Sequence, residues 1–159
     1  MNRLGEWLGR KVRDPLMTEL RQGTTPTGLA AACAVGAAIG VVPFLGTTTV
    51  LGLLAGRLLR LNHVALQTAN HLLYPMQLLL LIPFIRLGET VTGSPAMPID
   101  PRTLVTDFLA SPAAFLAKFG LAGAHGALGW LLVTPVSAWA LYLVLRGLFG
   151  KLTPSASQP

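Results

Sequence analysis

The stretch from Gly28 to Gly56 reads GLAAACAVGAAIGVVPFLGTTTVLGLLAG. Its first fifteen residues, Gly28 to Val42, are Ala, Gly, Val and Leu with a single Cys and a single Ile, and none is charged. At ~1.5 Å per residue a helical arm of this length reaches about 23 Å, short of the ~30 Å hydrocarbon core of a bilayer. Pro43-Phe44-Leu45-Gly46 comes next. Proline removes a backbone donor, and Gly46 permits the positive φ of a tight turn. Thr47, Thr48 and Thr49 then stand where a second helix needs capping oxygens, and that arm, ending at Gly56, is shorter still. The stretch is read as two half-helices: a re-entrant hairpin that enters and leaves a membrane on the same side. One kinked helix is the alternative, because proline is tolerated in membrane helices.

The rest of the chain supports a membrane setting. Of 159 residues 52% are hydrophobic and only 11% charged, too few to cover a water-exposed surface, and mean hydropathy is +0.61. The charges are also segregated, with none between Gln22 and Arg57, none between Arg60 and Arg86, and none between Lys118 and Arg146. Residues 61–85 are long enough to span and contain Pro75 and Pro83, so a bend is expected there. Residues 119–145 form the clearest span, with Trp130, Trp139 and Tyr142 as interfacial anchors. At the start, Leu4, Trp7, Leu8 and Val12 share a helical face ringed by Arg3, Arg10, Lys11 and Arg13, the pattern of a helix lying in the interface.

The expected fold is therefore an all-α integral membrane protein: an interfacial N-terminal helix, a re-entrant helical hairpin and two transmembrane helices. Its parts are the interfacial helix (1–22), the hairpin with the bent transmembrane helix (24–89), an external loop (90–118), a transmembrane helix (119–150) and a polar tail (151–159). A short helix, 101–110, is expected within the loop, since Asp100-Pro101 and Ser111-Pro112 each read as a cap followed by a first-turn proline. Charge bookkeeping sets the orientation. Arg3, Arg10, Lys11, Arg13 and Arg21 outweigh Glu6, Asp14 and Glu19, and Arg57, Arg60, Arg146 and Lys151 are unopposed. In the stretch from Arg86 to Lys118, by contrast, Arg86, Arg102 and Lys118 balance Glu89, Asp100 and Asp107. The neutral stretch belongs outside and both termini belong in the cytoplasm. The net charge of +6 is thus assigned to headgroups rather than to nucleic acid, for which no aromatic residues interleave a basic groove.

Pro26-Thr27-Gly28, Gly36, Gly40, Pro43 through Thr49, Arg60-Leu61-Asn62, Asn70 with Pro75, and Gly88 together form a recognisable pattern. It is similar to a family of small bacterial inner-membrane proteins of unknown function, the domain-of-unknown-function family numbered two-zero-six-two. The resemblance covers residues 24–93 well and the last helix by character. It implies a multi-pass location in the bacterial inner membrane and brings no established activity with it.

Chemistry has few places to sit. His63, Gln67, Asn70, His71, Tyr74 and Gln77 follow spacings of three and four, within about 120° of one face of a straight helix. Lipid offers such side chains no partner, so they line a polar cavity or join helices, for instance through Thr47 to Thr49. Gly46, Thr47, Thr48 and Thr49 also aim a half-helix N-terminus into the membrane, a feature that binds anionic groups. Together these ten residues make a candidate ligand site for an anionic lipid headgroup or a small solute, with membrane lipids as partners. Two readings follow: a transporter-like or lipid-handling protein, or a non-transporting membrane assembly or stability factor. No cofactor or metal is expected, because His63 and His71 are eight residues apart, about 12 Å along a helix. No enzyme activity is expected either, because all six acidic residues lie outside the apolar segments. Gly36 with Gly40 and Gly52 with Gly56 are spaced for close helix approach, here to a second copy in a homo-oligomer. Cys33 reads as a small apolar helix residue.

Overall fold

The computed structural model describes residues 25–97, 106 and 109–152. The expected interfacial helix, most of the expected 101–110 helix and the polar tail from residue 153 on lie outside them; residues 151–152 of that tail are helical. Among the described residues the chain is all-helical, with five helices: α1 (Pro26–Gly40), α2 (Thr48–Leu58), α3 (His63–Leu72), α4 (Tyr74–Thr92) and α5 (Pro112–Leu152).

Local chemistry sets the boundaries. Thr25 caps α1, its hydroxyl accepting from the Gly28 amide at 3.1 Å, and Pro26 opens the first turn, where no donor is needed. Pro43 and Gly46, at φ +82°, turn the chain into α2. Asn62 caps α3 by accepting from Ala65 N at 2.8 Å. Gly93 ends α4 in the left-handed region (φ +69°), and the Ser94 amide reaches back to the Glu89 carbonyl at 3.0 Å. α4 and α5 extend further than expected, which narrows the segment between them to residues 93–111.

The helical partners give the directions. A side chain at Gly36 would strike the backbone of Leu66, and one at Gly40 would come within 2.6 Å of the Asn70 carbonyl, so α1 and α3 run parallel. Gly52 faces Gln67 and Gly56 faces His63, so α2 runs antiparallel to both. The stretch from Gly28 to Gly56 is thus a hairpin and not one kinked helix. All four glycines are buried and taken up inside the chain by α3, which covers the faces expected to meet a second copy. Absent side chains let Leu66 seat fully buried beside Ala32 and Ala65, with Cys33 packed against them. α5 runs antiparallel to α4, where Gly88 lies against His125 and Gly129 against Phe84, and it also packs on α1.

Among the described residues one helix, 115–151, is long and apolar enough to cross a membrane; its mean hydropathy is 1.8 and only 11% of its most apolar window is buried. α3 and α4 pass the same test together, as a pair bent by 61°. The bend falls at Leu73. Pro75 occupies the first turn of α4 and Pro83 lies within it, so neither proline sits at the break itself.

The turn at Gly46 makes one prediction. Nothing lies within 4 Å of where its side chain would point, so only the backbone conformation restricts the position. Gly46→Val should cost about 1–2 kcal/mol through φ strain, read as a lower thermal midpoint in detergent. Gly46→Asn, which tolerates this region, should cost little.

Candidate functional site

The break at Leu73 divides the polar stripe. Gln67 is half-buried, and Asn70 and Gln77 are each 1% exposed, whereas His63, His71 and Tyr74 are exposed. The single six-residue face expected for a straight helix does not form: His63 and His71 already turn outward from α3, and the 61° bend re-aims Tyr74 and Gln77 beyond it.

The three inward amides are tied to the hairpin. Gln67 Nε2 donates to the Thr49 carbonyl at 3.1 Å, and Asn70 Nδ2 donates to Gln67 Oε1 at 3.0 Å. Gln77 Nε2 donates to the carbonyls of Val42 at 2.6 Å and Phe44 at 3.4 Å. The Gln77 bonds go to carbonyls that lie outside regular helix, whereas the Gln67 bond falls on the first turn of α2. The threonines act differently from expectation. The Thr47 hydroxyl donates back to the Phe44 carbonyl at 2.8 Å and makes no cap bond to α2. Thr48 is buried, and Thr49 enters the network by its backbone. His63 packs its ring on Gly56, and His71 Nδ1 lies 2.7 Å from the Gln67 carbonyl. Val64, Gln67, Thr68, His71 and Leu72 line an open depression of about 580 Å³, which gives Gln67 an outward side. No group of three His, Cys, Asp or Glu that could hold a metal comes together among the described residues.

A second polar cluster was not anticipated from the sequence. Glu89 is 3% exposed; its carboxylate accepts from the Met97 amide at 2.9 Å and from Arg86 at 2.8 Å. The cluster stands beyond the apolar run that ends at Ile85. Beside it, Thr92 Oγ1 donates to Ser94 Oγ at 2.9 Å, and His125 Nε2 lies 3.2 and 3.3 Å from these two hydroxyl oxygens. The only sequence sign of this knot was the three-residue spacing of Arg86 and Glu89. Trp130 is the other surprise. Its indole N–H donates to the Ala38 carbonyl at 3.0 Å, so it is a link from α5 to α1 rather than an interfacial anchor.

No curated protein and no solved structure matches the chain. The profile of a bacterial family described as "Uncharacterized protein conserved in bacteria (DUF2062)" matches residues 9–154. That match takes in nearly all of the chain and every residue of the amide network, and the protein belongs to this family.

Proposed function

We propose that this is a multi-pass protein of the bacterial inner membrane, transporter-like or lipid-handling, with its polar site between a re-entrant hairpin and the bent α3–α4 pair. The observation that carries the reading is the amide network: two broken elements meet, Gln67 and Gln77 bind the backbone of one from the other, and Asn70 holds Gln67 in place. Buried polar side chains on discontinuous helices mark binding sites in membrane proteins. The membrane setting is supported by what the helices turn outward. Leu58, Leu72, Leu79, Leu131, Val136 and Trp139 are all exposed, and α5 is hardly covered along its apolar length. In water such a surface would drive association. Reporter fusions at both termini should report cytoplasm and a fusion near Ser94 should report the outside; an outside signal from either terminus refutes the orientation.

The competing reading, an assembly or stability factor, has an observation of its own: the same amides join helices whether or not anything binds. Asn70→Leu separates the two. In a binding site the substitution should leave thermal stability in mild detergent within about 1 kcal/mol of wild type, yet remove the solutes or lipids that copurify and are identified by mass spectrometry. If stability falls and the copurifying material is unchanged, the network is structural.

A further inference from the structure

The orientation of the three amides is dictated by backbone atoms, and that has a chemical consequence. A carbonyl oxygen can only accept. The Thr49 carbonyl therefore requires the nitrogen of Gln67, which turns Gln67 Oε1 toward Asn70 and requires the nitrogen of Asn70 in turn. The Asn70 oxygen is left over. In the same way the carbonyls of Val42 and Phe44 both require the nitrogen of Gln77, which leaves the Gln77 oxygen. Reversing either amide would set oxygen against oxygen. Asn70 Oδ1 and Gln77 Oε1 are buried, and no donor from the described residues reaches them. Each side chain is 1% exposed, so bulk water is not its partner. A buried acceptor left unmatched is costly, and more so where the local dielectric is low.

Both residues flank the C-terminal end of α1. The backbone of Asn70 packs on Gly40, the last residue of that helix, and the Gln77 side chain holds the carbonyls that follow it. A helix C-terminus carries partial negative charge, and unwound carbonyls at half-helix ends coordinate cations in transporters. The surroundings hold acceptors and no fixed charge. Glu89, the one acidic side chain among the described residues, is committed to Met97 and Arg86. Neutral oxygens suit an ion that sheds water readily, whereas a divalent ion generally recruits carboxylates.

We propose that Asn70 Oδ1 and Gln77 Oε1 are ligands of a monovalent metal cation, Na⁺ or K⁺, held at the end of α1. The inference rests on the hairpin–helix site proposed above and replaces the anion expected there with an ion of opposite sign. The test is thermal unfolding of the full chain in neutral detergent, with NaCl or KCl exchanged for choline chloride at constant ionic strength. A saturable rise of the midpoint with one of the two metal ions is expected, because an ion that binds only the folded state stabilises it by mass action. Gln77→Met and Asn70→Leu should each abolish that rise. Asn70→Asp, which places a charge on the same ligand, should lower the half-saturating concentration by about tenfold. A midpoint indifferent to the cation in the wild type and in Asn70→Asp means that buried water occupies the two oxygens, and it overturns the proposal. Alkaline carbonate extraction of the same membranes keeps the two failures apart. A cation-insensitive protein that stays in the membrane fraction refutes the ion alone, whereas release into the supernatant refutes the membrane site beneath it.

Discussion

Gly88→Leu is expected to yield no folded protein and Gly88→Ala to unfold at a clearly lower temperature, while Gly120→Ala, on a helix of the same seam, should be neutral or stabilising. A Cβ at Gly88 would collide with the carbonyl oxygen of His125 and stand 2.7 Å from its Cα. Those are backbone atoms of α5, so no rotamer change can relieve the clash; the two helices must separate. Gly129 meets the backbone of Phe84 one turn away, so moving α4 off α5 at one point loosens the other contact too. Overpacking of this kind costs about 3 kcal/mol or more when the backbone has to shift. At Gly120 nothing lies within 4 Å, and alanine there gains about 0.5–1 kcal/mol of helix propensity. The opposite signs are readable as thermal midpoints in one detergent. A Gly88→Ala midpoint equal to wild type would mean that α4 and α5 lie further apart than the structure has them.

What the sequence disclosed about the fold was local. Pro43 and Gly46 announced a turn between two short apolar arms, and the turn is there because proline and a positive-φ glycine permit little else. Glycines four apart announced close helix approach, and all four make it. Spacing alone does not name the partner, however, and the partner of Gly36, Gly40, Gly52 and Gly56 is α3 of the same chain rather than a second copy. The polar stripe failed for a related reason. Placing Tyr74 and Gln77 with His63 assumes 100° per residue without interruption, and the 61° break at Leu73 ends that register two residues before the proline that suggested a bend. Asn70 and Gln77 were rightly singled out as polar residues in an apolar run. The partners of Gln77, the carbonyls of residues some thirty positions earlier, and that of Gln67, which in turn holds Asn70, depend on how the hairpin packs, and no local pattern encodes that. Glu89 and His125 were passed over because the contacts that gather them, Met97 on Glu89 and Thr92 and Ser94 on His125, depend on how the end of α4 meets the following segment and α5.

Trp130 shows how much such a distant pairing can weigh, and it gives the second large effect. At the end of α1 the Val42 amide bonds the Ile39 carbonyl at 3.0 Å, three residues back, instead of Ala38 four back. The Ala38 carbonyl so freed is taken by the Trp130 indole from α5 at 3.0 Å. Trp130→Phe keeps most of the ring and loses the donor, which should cost about 1–2 kcal/mol. Trp130→Ala also removes the packing between α5 and α1, for a total of about 3 kcal/mol or more. The control is Trp139, 63% exposed, whose described ring contact is with Tyr142 at 5.6 Å. Trp139→Ala should cost about 1 kcal/mol or less. If Trp130 were only an interfacial anchor, the two tryptophans would give similar losses, and Trp130→Phe would resemble wild type. Because Val42 and Phe44 follow directly on the helix end that Trp130 holds, Trp130→Phe should also blunt the response of the midpoint to Na⁺ or K⁺ without touching either proposed ligand. A Trp130→Phe protein that loses stability but keeps the full cation response would show that the indole braces α1 alone and leaves the turn beyond it undisturbed.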